Sequence, residues 1–329
     1  MISTMHAVAF LMAWRRAPSP ESDKEAIAEN HASWDSLAQV HAQGSGAEFY
    51  RIEQWLAGEC KLGPWEIEEM GDVAEKSLLH LQCHIGTDTL SWARRGARVT
   101  GLDFSQNALT EARRFAEILG IDDARFIHST VADAADSLEG EKFDILYTGR
   151  GALCWLPDLD EWASVCAKLV KSGGLIYLEE STPFVNTLEP RETSEGSLFA
   201  PKYDLFHEGP ISEIGEGSYA DPEWEGERVT HCWEYRYDTV INALVNNGFQ
   251  VKFLGRDQRK PIRHRVAALQ AKVRGRAGSC AICRLHALLQ HVAQSLMILF
   301  HNDSPEFVRC LPCFAHTDKV ACTARPHRA

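Results

Sequence analysis

A chain of 329 residues, 45% apolar and 24% charged, is long enough to bury a substantial core in one or two domains. Its formal net charge of −12 argues against nucleic acid as the main partner. No apolar run reaches the roughly eighteen residues that a membrane span needs; the longest candidate, Leu285 to Phe300, is broken by His286, Gln290, His291, Gln294 and Ser295.

Residues 1–24 hold a short apolar stretch with Arg15 and Arg16 behind it, the reverse of a secretory signal, and are expected to form a disordered leader. Ser22 to Gly44 reads as a helix, with Ala26, Trp34, Leu37, Ala38 and Val40 on its apolar side. Glu48 to Leu56 predicts a second helix, and Gly63-Pro64 breaks the chain. An alternation of short strands and helices follows. Strands are expected at 77–82, 98–102, 125–128, 143–148 and 175–180. Helices are expected at 88–95, 106–119, 132–138 and 159–170, with Gly120 as a C-terminal cap. This spacing predicts a doubly wound α/β sheet, mostly parallel. Residues 183–224 read as loop, 229–237 as extended, 239–246 as helix and 249–254 as a last strand.

The most informative segment runs from Ser77 to Ser105 and reads SLLHLQCHIGTDTLSWARRGARVTGLDFS. It is a strand, a tight turn at Gln82–Gly86, a helix, a second strand and an acid, Asp103. That unit holds an adenosine-type cofactor on a parallel sheet. A carboxylate at the tip of the second strand can accept hydrogen bonds from both ribose hydroxyls. The turn departs from the dinucleotide fingerprint G-x-G-x-x-G: Gln82 and His84 stand where glycines are wanted, and Gly86 remains.

Downstream, Phe143–Pro157 reads FDILYTGRGALCWLP and Leu169–Glu180 reads LVKSGGLIYLEE. With the helix between them and the unit at Ser77–Ser105, these segments resemble, in order and spacing, class I S-adenosylmethionine-dependent methyltransferases. They are similar to a small-molecule branch in which a substituted D-x-G-x-G-x-G loop is usual. The resemblance covers about residues 25–255. It implies a Rossmann-like sheet with N-terminal lid helices and S-adenosyl-L-methionine as cofactor. By position it assigns the first loop, His80, Gln82, Cys83, His84 and Gly86, to the methionine and ribose part. Asp103 takes the ribose, Phe104 the adenine face, Thr130 and Val131 the adenine edge, and Gly149 and Gly151 the methyl end. It makes Trp34, Phe49 and Tyr50 candidate lid aromatics.

Methyl transfer depends mainly on holding donor and acceptor in line in a dry pocket. A base is needed only where the nucleophile must lose a proton, and His31, His41, His207 and His231 are candidates on covering segments. The expected protein is a cytoplasmic enzyme methylating a small organic acceptor, with no nucleic acid or membrane partner. Two alternatives are an inactive cofactor-binding partner protein and a nucleotide-dependent oxidoreductase, the latter opposed by Gln82 and His84.

The composition changes sign near residue 256. From there on 13 Lys and Arg face 4 Asp and Glu, against 21 and 42 before it. Methyltransferases of this class end with a strand inserted antiparallel between strands five and six, whereas RKPIRHRVAALQAKVRGRAG reads as basic and helical. The tail, 256–329, is therefore expected to lie outside the sheet as a poorly ordered or non-homologous extension. Five of the ten cysteines crowd into it. The pairs Cys280/Cys283 and Cys310/Cys313 resemble zinc knuckles or a redox pair, but lie too far apart in sequence for a usual zinc site, and no metal is expected.

Overall fold

The computed structural model describes residues 14–180, 183, 187–193, 196–221, 223–256 and 296–302. Its centre is a seven-stranded sheet. In chain order its strands are β2 (Ser77–Leu81), β3 (Arg98–Asp103), β4 (Arg125–His128), β5 (Phe143–Gly149), β6 (Val170–Glu180), β11 (Phe249–Arg256) and β12 (Leu296–Asn302). Their order across the sheet is β4-β3-β2-β5-β6-β12-β11. Leu79 of β2 lies opposite Thr100 of β3 and Leu146 of β5, all parallel. A parallel strand is covered on both faces, so it reads as a continuous apolar run; Leu78, Leu79 and Leu81 are fully buried.

Helices α5 (Thr87–Ala93), α6 (Gln106–Leu119), α7 (Ala134–Ser137), α8 (Leu159–Leu169) and α9 (Tyr237–Asn246) flank the sheet. α6 shows how local sequence fixes them. The Ser105 hydroxyl caps its first turn by accepting from the Ala108 N–H, and Gly120 ends it with a φ of 63°. Ala108, Leu109, Ala112 and Phe115 line its buried face. Four N-terminal helices precede the sheet: α1 (Asp23–Ala42), α2 (Gly44–Phe49), α3 (Ile52–Leu56) and α4 (Pro64–Met70). The sequence reading joined α2 and α3 into one helix. Arg51, at a φ of 53°, breaks it.

Two further expectations are corrected. Residues 14–16 of the expected leader form β1 (Trp14–Arg16), which pairs with β9 (Ile211–Glu216); β9 also pairs with β10 (Glu227–Cys232). Residues 183–224, read as loop, also hold a hairpin of β7 (Leu188–Thr193) and β8 (Gly196–Pro201). Prolines and glycines masked these short strands, because such residues mark turns without excluding the strands between them. The three-stranded sheet packs on α1: Ser33 donates to the Val229 carbonyl, and Asn30 exchanges hydrogen bonds with the His231 backbone at 2.8 Å each.

The tail is the fourth correction. Its Leu296–Asn302, LMILFHN, lies antiparallel between β6 and β11, with Ile298 opposite Leu178 on one side and Leu254 on the other. The basic stretch before it hid an apolar run that two otherwise unpaired strand edges accept. The two Cys-x-x-Cys pairs lie outside the described residues. Ending the chain after Arg256 is therefore expected to lower the melting temperature. It should also speed amide hydrogen exchange in Leu175–Glu180; unchanged exchange there would remove β12 from the sheet.

Candidate active site

The chain leaves β2 towards β3 on one side and returns to β5 on the other, so the connection reverses at β2/β5. In open α/β sheets the crevice beyond the carboxyl ends of such strands is where ligands bind. The turn after β2 and the turn after β5 border it.

The first turn keeps a glycine-loop backbone without the glycines. Gln82 has a φ of 58°, His84 of 52° and Gly86 of 74°. All three fall in the left-handed region, which costs a non-glycine residue roughly 1–2 kcal/mol. At Gly86 nothing larger fits: an added Cβ would lie 2.7 Å from that of Ala112 on α6. The Cys83 N–H donates to the Leu102 carbonyl at 3.0 Å, tying the turn to β3. Burial raises the Cys83 thiol well above its ordinary pKa, so it is inert as a nucleophile.

Asp103 is 5% exposed at the tip of β3. One carboxylate oxygen accepts from the Ser105 N–H at 2.9 Å and the other from the His84 N–H at 2.8 Å. Burial pushes its pKa up to about 6, against the pull of these donors. Phe104 packs against His31 of α1, ring centroids 5.0 Å apart. The Thr130 hydroxyl donates to the Asp133 carboxylate at 2.7 Å. A carboxylate thus stands beside the position where the sequence offers only a hydroxyl. Val131 is buried in the core below.

The second turn is set by Arg150 and Glu180. Arg150, at a φ of 66°, reaches Asp88 of α5 at 2.5 Å and Glu66 of α4 at 3.0 Å. Tyr147 donates to Glu66 from the other side at 2.6 Å. Burial pushes Asp88 up, but Arg150, His80 and Lys61 outweigh it and hold the carboxyl below its usual range. The Glu180 carboxylate accepts from the Ala152 and Leu153 N–H groups at 2.9 and 3.0 Å. Gln82 joins the two turns by donating to the Ala152 carbonyl at 3.0 Å. Gly149 and Gly151 flank Arg150 and are half-buried. His80 is 4% exposed, bonds Thr89 at 2.8 Å and packs edge-on against Tyr147.

α1 and α2 close the crevice. Trp34 stands edge-on to His84 and to Trp155, with ring centroids 5.6 and 5.1 Å away. The Tyr50 and Tyr219 hydroxyls are hydrogen-bonded, and Phe49 packs on Tyr219. His41 lies among them, with no exposed surface. Asp35 of α1 docks this lid beside Asp103, accepting from the Ser105 hydroxyl at 2.7 Å and the Asn107 N–H at 3.0 Å.

The four candidate histidines separate cleanly. His207 is exposed. His231 is fully buried and held by Ser212 and Glu29, clamping β10 to α1. His31 packs at a tilt against Phe104, and His41 belongs to the aromatic cluster. Sequence reasoning missed Asp35, Asp133, Trp155, Ser218, Tyr219 and the Arg150 network. All but Asp133, which pairs with Thr130 three residues before it, act through a partner far along the chain, which no local pattern reveals.

Known proteins share this domain and this fold. Residues 79–176 match a methyltransferase domain model. The sheet superposes on an S-adenosylmethionine-dependent methyltransferase from Mesorhizobium loti with a TM-score of 0.51 at 19% identity, covering 75% of this chain and 99% of that one. One from Clostridium acetobutylicum also gives 0.51, at 12% identity, covering 83% and 100%. At such identities these two establish the fold. Residues 79–176 thus carry a methyltransferase domain, on a fold shared with S-adenosylmethionine-dependent methyltransferases.

Among curated proteins, it is 25% identical over 191 residues to the ubiquinone biosynthesis O-methyltransferase of Nitrosomonas europaea, covering 54% of this chain and 79% of that one. It is 34% identical over 113 residues to the enzyme of the same name from Erwinia tasmaniensis, covering 34% of this chain and 45% of the relative. The chain thus spans less than half the length of the more identical relative.

The donor set suits S-adenosylmethionine. A carboxylate has about four lone-pair sites; Asp103 uses two on backbone N–H groups, which leaves two for a ribose diol. Two buried side-chain atoms in the bordering turns have no partner: Gln82 Oε1, an acceptor, and Arg150 Nη1, a donor. An ammonium and a carboxylate, the two ends of an amino acid, complement them.

Proposed function

We propose that the protein transfers a methyl group from S-adenosylmethionine to a small organic acceptor in the crevice between the turns after β2 and β5, beneath α1 and α2. The observation that carries this reading is the first turn. It keeps left-handed backbone at Gln82, His84 and Gly86 and delivers the His84 N–H to the Asp103 carboxylate. Two non-glycine residues are held there against their preference, and such strain persists where the surroundings impose it, as at ligand sites.

In this assignment Asp103 accepts the two ribose hydroxyls and Phe104 faces the adenine. Val131 offers its backbone at the adenine edge, and Asp133, oriented by Thr130, takes the exocyclic amine. Gln82 and Arg150 hold the amino-acid end, with Gly149 and Gly151 leaving backbone room beside it. The bound cofactor supplies a sulfonium methyl group. The lid aromatics Trp34, Phe49, Tyr50, Trp155 and Tyr219 exclude water and offer flat, largely apolar walls, which suits an aromatic acceptor. Two relatives named as O-methyltransferases of ubiquinone biosynthesis favour the same chemistry. Five free cysteines among the described residues suit a reducing compartment such as the cytoplasm.

Isothermal titration with S-adenosylhomocysteine is expected to give micromolar affinity, within the usual range for enzyme ligands. No heat at millimolar ligand would sink the assignment. Mass spectrometry of a metabolite extract incubated with isotope-labelled S-adenosylmethionine is expected to show a labelled small product.

A further inference from the structure

The rings of His84 and His41 form a hydrogen-bonded pair to which the cofactor assignment gives no role; it uses only the His84 backbone. His41 Nδ1 lies 3.2 Å from His84 Nε2, and His41 Nε2 lies 3.0 Å from the Ser218 hydroxyl. Three segments meet there: the lid helix α1, the turn after β2, and the turn that follows β9. The Ser218 oxygen also accepts from the Ala220 N–H at 3.2 Å. Both nitrogens of His41 are therefore engaged, whereas His84 keeps Nδ1 without a partner. That nitrogen is not among the buried orphaned atoms, and His84 is only half-buried.

In one arrangement both imidazole N–H groups of the pair have an acceptor: His84 Nε2–H donates to His41 Nδ1, and His41 Nε2–H donates to Ser218. It leaves His84 Nδ1 as a bare acceptor at the crevice, beside Trp34 and on the turn assigned to the cofactor. Which nitrogen of a histidine carries its proton is set by the bond the other nitrogen makes. We propose that His84 is the general base of the transfer, holding at Nδ1 the proton of an O–H or N–H acceptor, and that His41 with Ser218 is the positioning pair that fixes its tautomer. This inference rests on the function proposed above and narrows its substrate to nucleophiles that arrive with their proton.

The balance is simple. The acceptor heteroatom gains the methyl carbon, the carbon–sulfur bond breaks with its electron pair left on sulfur, and the acceptor's proton passes to His84 Nδ1. One positive charge is present on sulfur before transfer and one on the imidazolium after it, so the charge of the reacting groups is unchanged. Burial pushes the free His84 imidazole down to about 4 and lowers His41 well below its ordinary value, with the neighbouring His84 adding to the second effect. Both rings are thus neutral at pH 7, with the lone pair available.

His84→Gly separates this role from cofactor binding, because glycine suits the left-handed backbone at that position. The variant is expected to bind S-adenosylhomocysteine as tightly as the parent. With labelled S-adenosylmethionine and the metabolite extract, its product should form about a hundredfold more slowly or worse, the usual range for removing a general base. Added free imidazole should restore at least about tenfold. His41→Ala should weaken transfer and shift its acid limb, while His41→Gln, which can both accept and donate, should keep most of the rate. Nitrogen-15 spectra of histidine-labelled parent protein should show His84 protonated at Nε2 only. Undiminished transfer by His84→Gly, absent imidazole rescue, lost S-adenosylhomocysteine binding in that variant, or a proton on His84 Nδ1 would each overturn the proposal. Absence of labelled product from the parent chain would overturn the proposed function itself.

Discussion

Asp103→Asn is expected to weaken S-adenosylhomocysteine binding roughly tenfold or more at pH 8, and to remove most of its dependence on pH between 5 and 7. Hydrogen bonds to a charged acceptor are worth about 1.5–3 kcal/mol each. The amide keeps one acceptor where the carboxylate has two, and its NH2 meets a backbone donor. The pH effect follows from the raised pKa of about 6 in the free protein. An acid whose folded pKa lies above its unfolded value of about 4 favours the fold most when protonated. Its contribution to stability therefore falls as pH rises from about 4 to about 6, by about 3 kcal/mol in order of magnitude, and is flat beyond. Ligand hydroxyls favour the ionised form, so affinity rises through the same window and reaches a plateau above it. Titration calorimetry at pH 5, 6, 7 and 8 measures this directly. A parent affinity that does not change over the range would remove Asp103 from the ribose.

Arg150→Met is expected to be the most destabilising single change in the site. It would leave Glu66, with no exposed side-chain surface, and Asp88, at 14%, without their shared cation. Removing one partner of a buried ion pair costs about 3–5 kcal/mol, because the charge left behind is uncompensated. For a domain of this size that is a fall of roughly ten degrees in melting temperature. Changing Arg150, Glu66 and Asp88 together to apolar residues of similar volume should recover much of the loss. If Arg150→Met melts with the parent, the three groups are not coupled.

The central sheet was legible because its units are local. Ser105 beside Ala108, Gly120 after Leu119, and apolar β2 ending in a turn are decided within a few residues, and α6 falls at its predicted bounds. The tight turn after β2 was legible too, although Gln82 and His84 stand where glycines are wanted, since Gly86 and Asp103 keep their spacing. What was not legible depends on distance. Asp35 meets Asn107 across 72 positions, His41 meets Ser218 across 177, and β12 finds its place only because β6 and β11 leave a gap. A pattern within the chain cannot report a partner that far away. His80, placed in the first loop by position, has its ring buried on Thr89 and Tyr147, contacts that the local sequence does not show.

The interleaving of β12 between β6 and β11 also sets a timetable. On the ribosome, β6 is complete about 120 residues before its neighbour exists, which at typical elongation rates is on the order of ten seconds. Throughout that interval the growing chain presents an open backbone edge at Leu175–Glu180, and β11 has no strand to dock against. The half-sheet from β4 to β6 can form early from parallel neighbours, while the other half must wait for the last strand. An open strand edge is a template for pairing with another chain, so shielding Leu175–Glu180 during synthesis is expected to raise the folded yield.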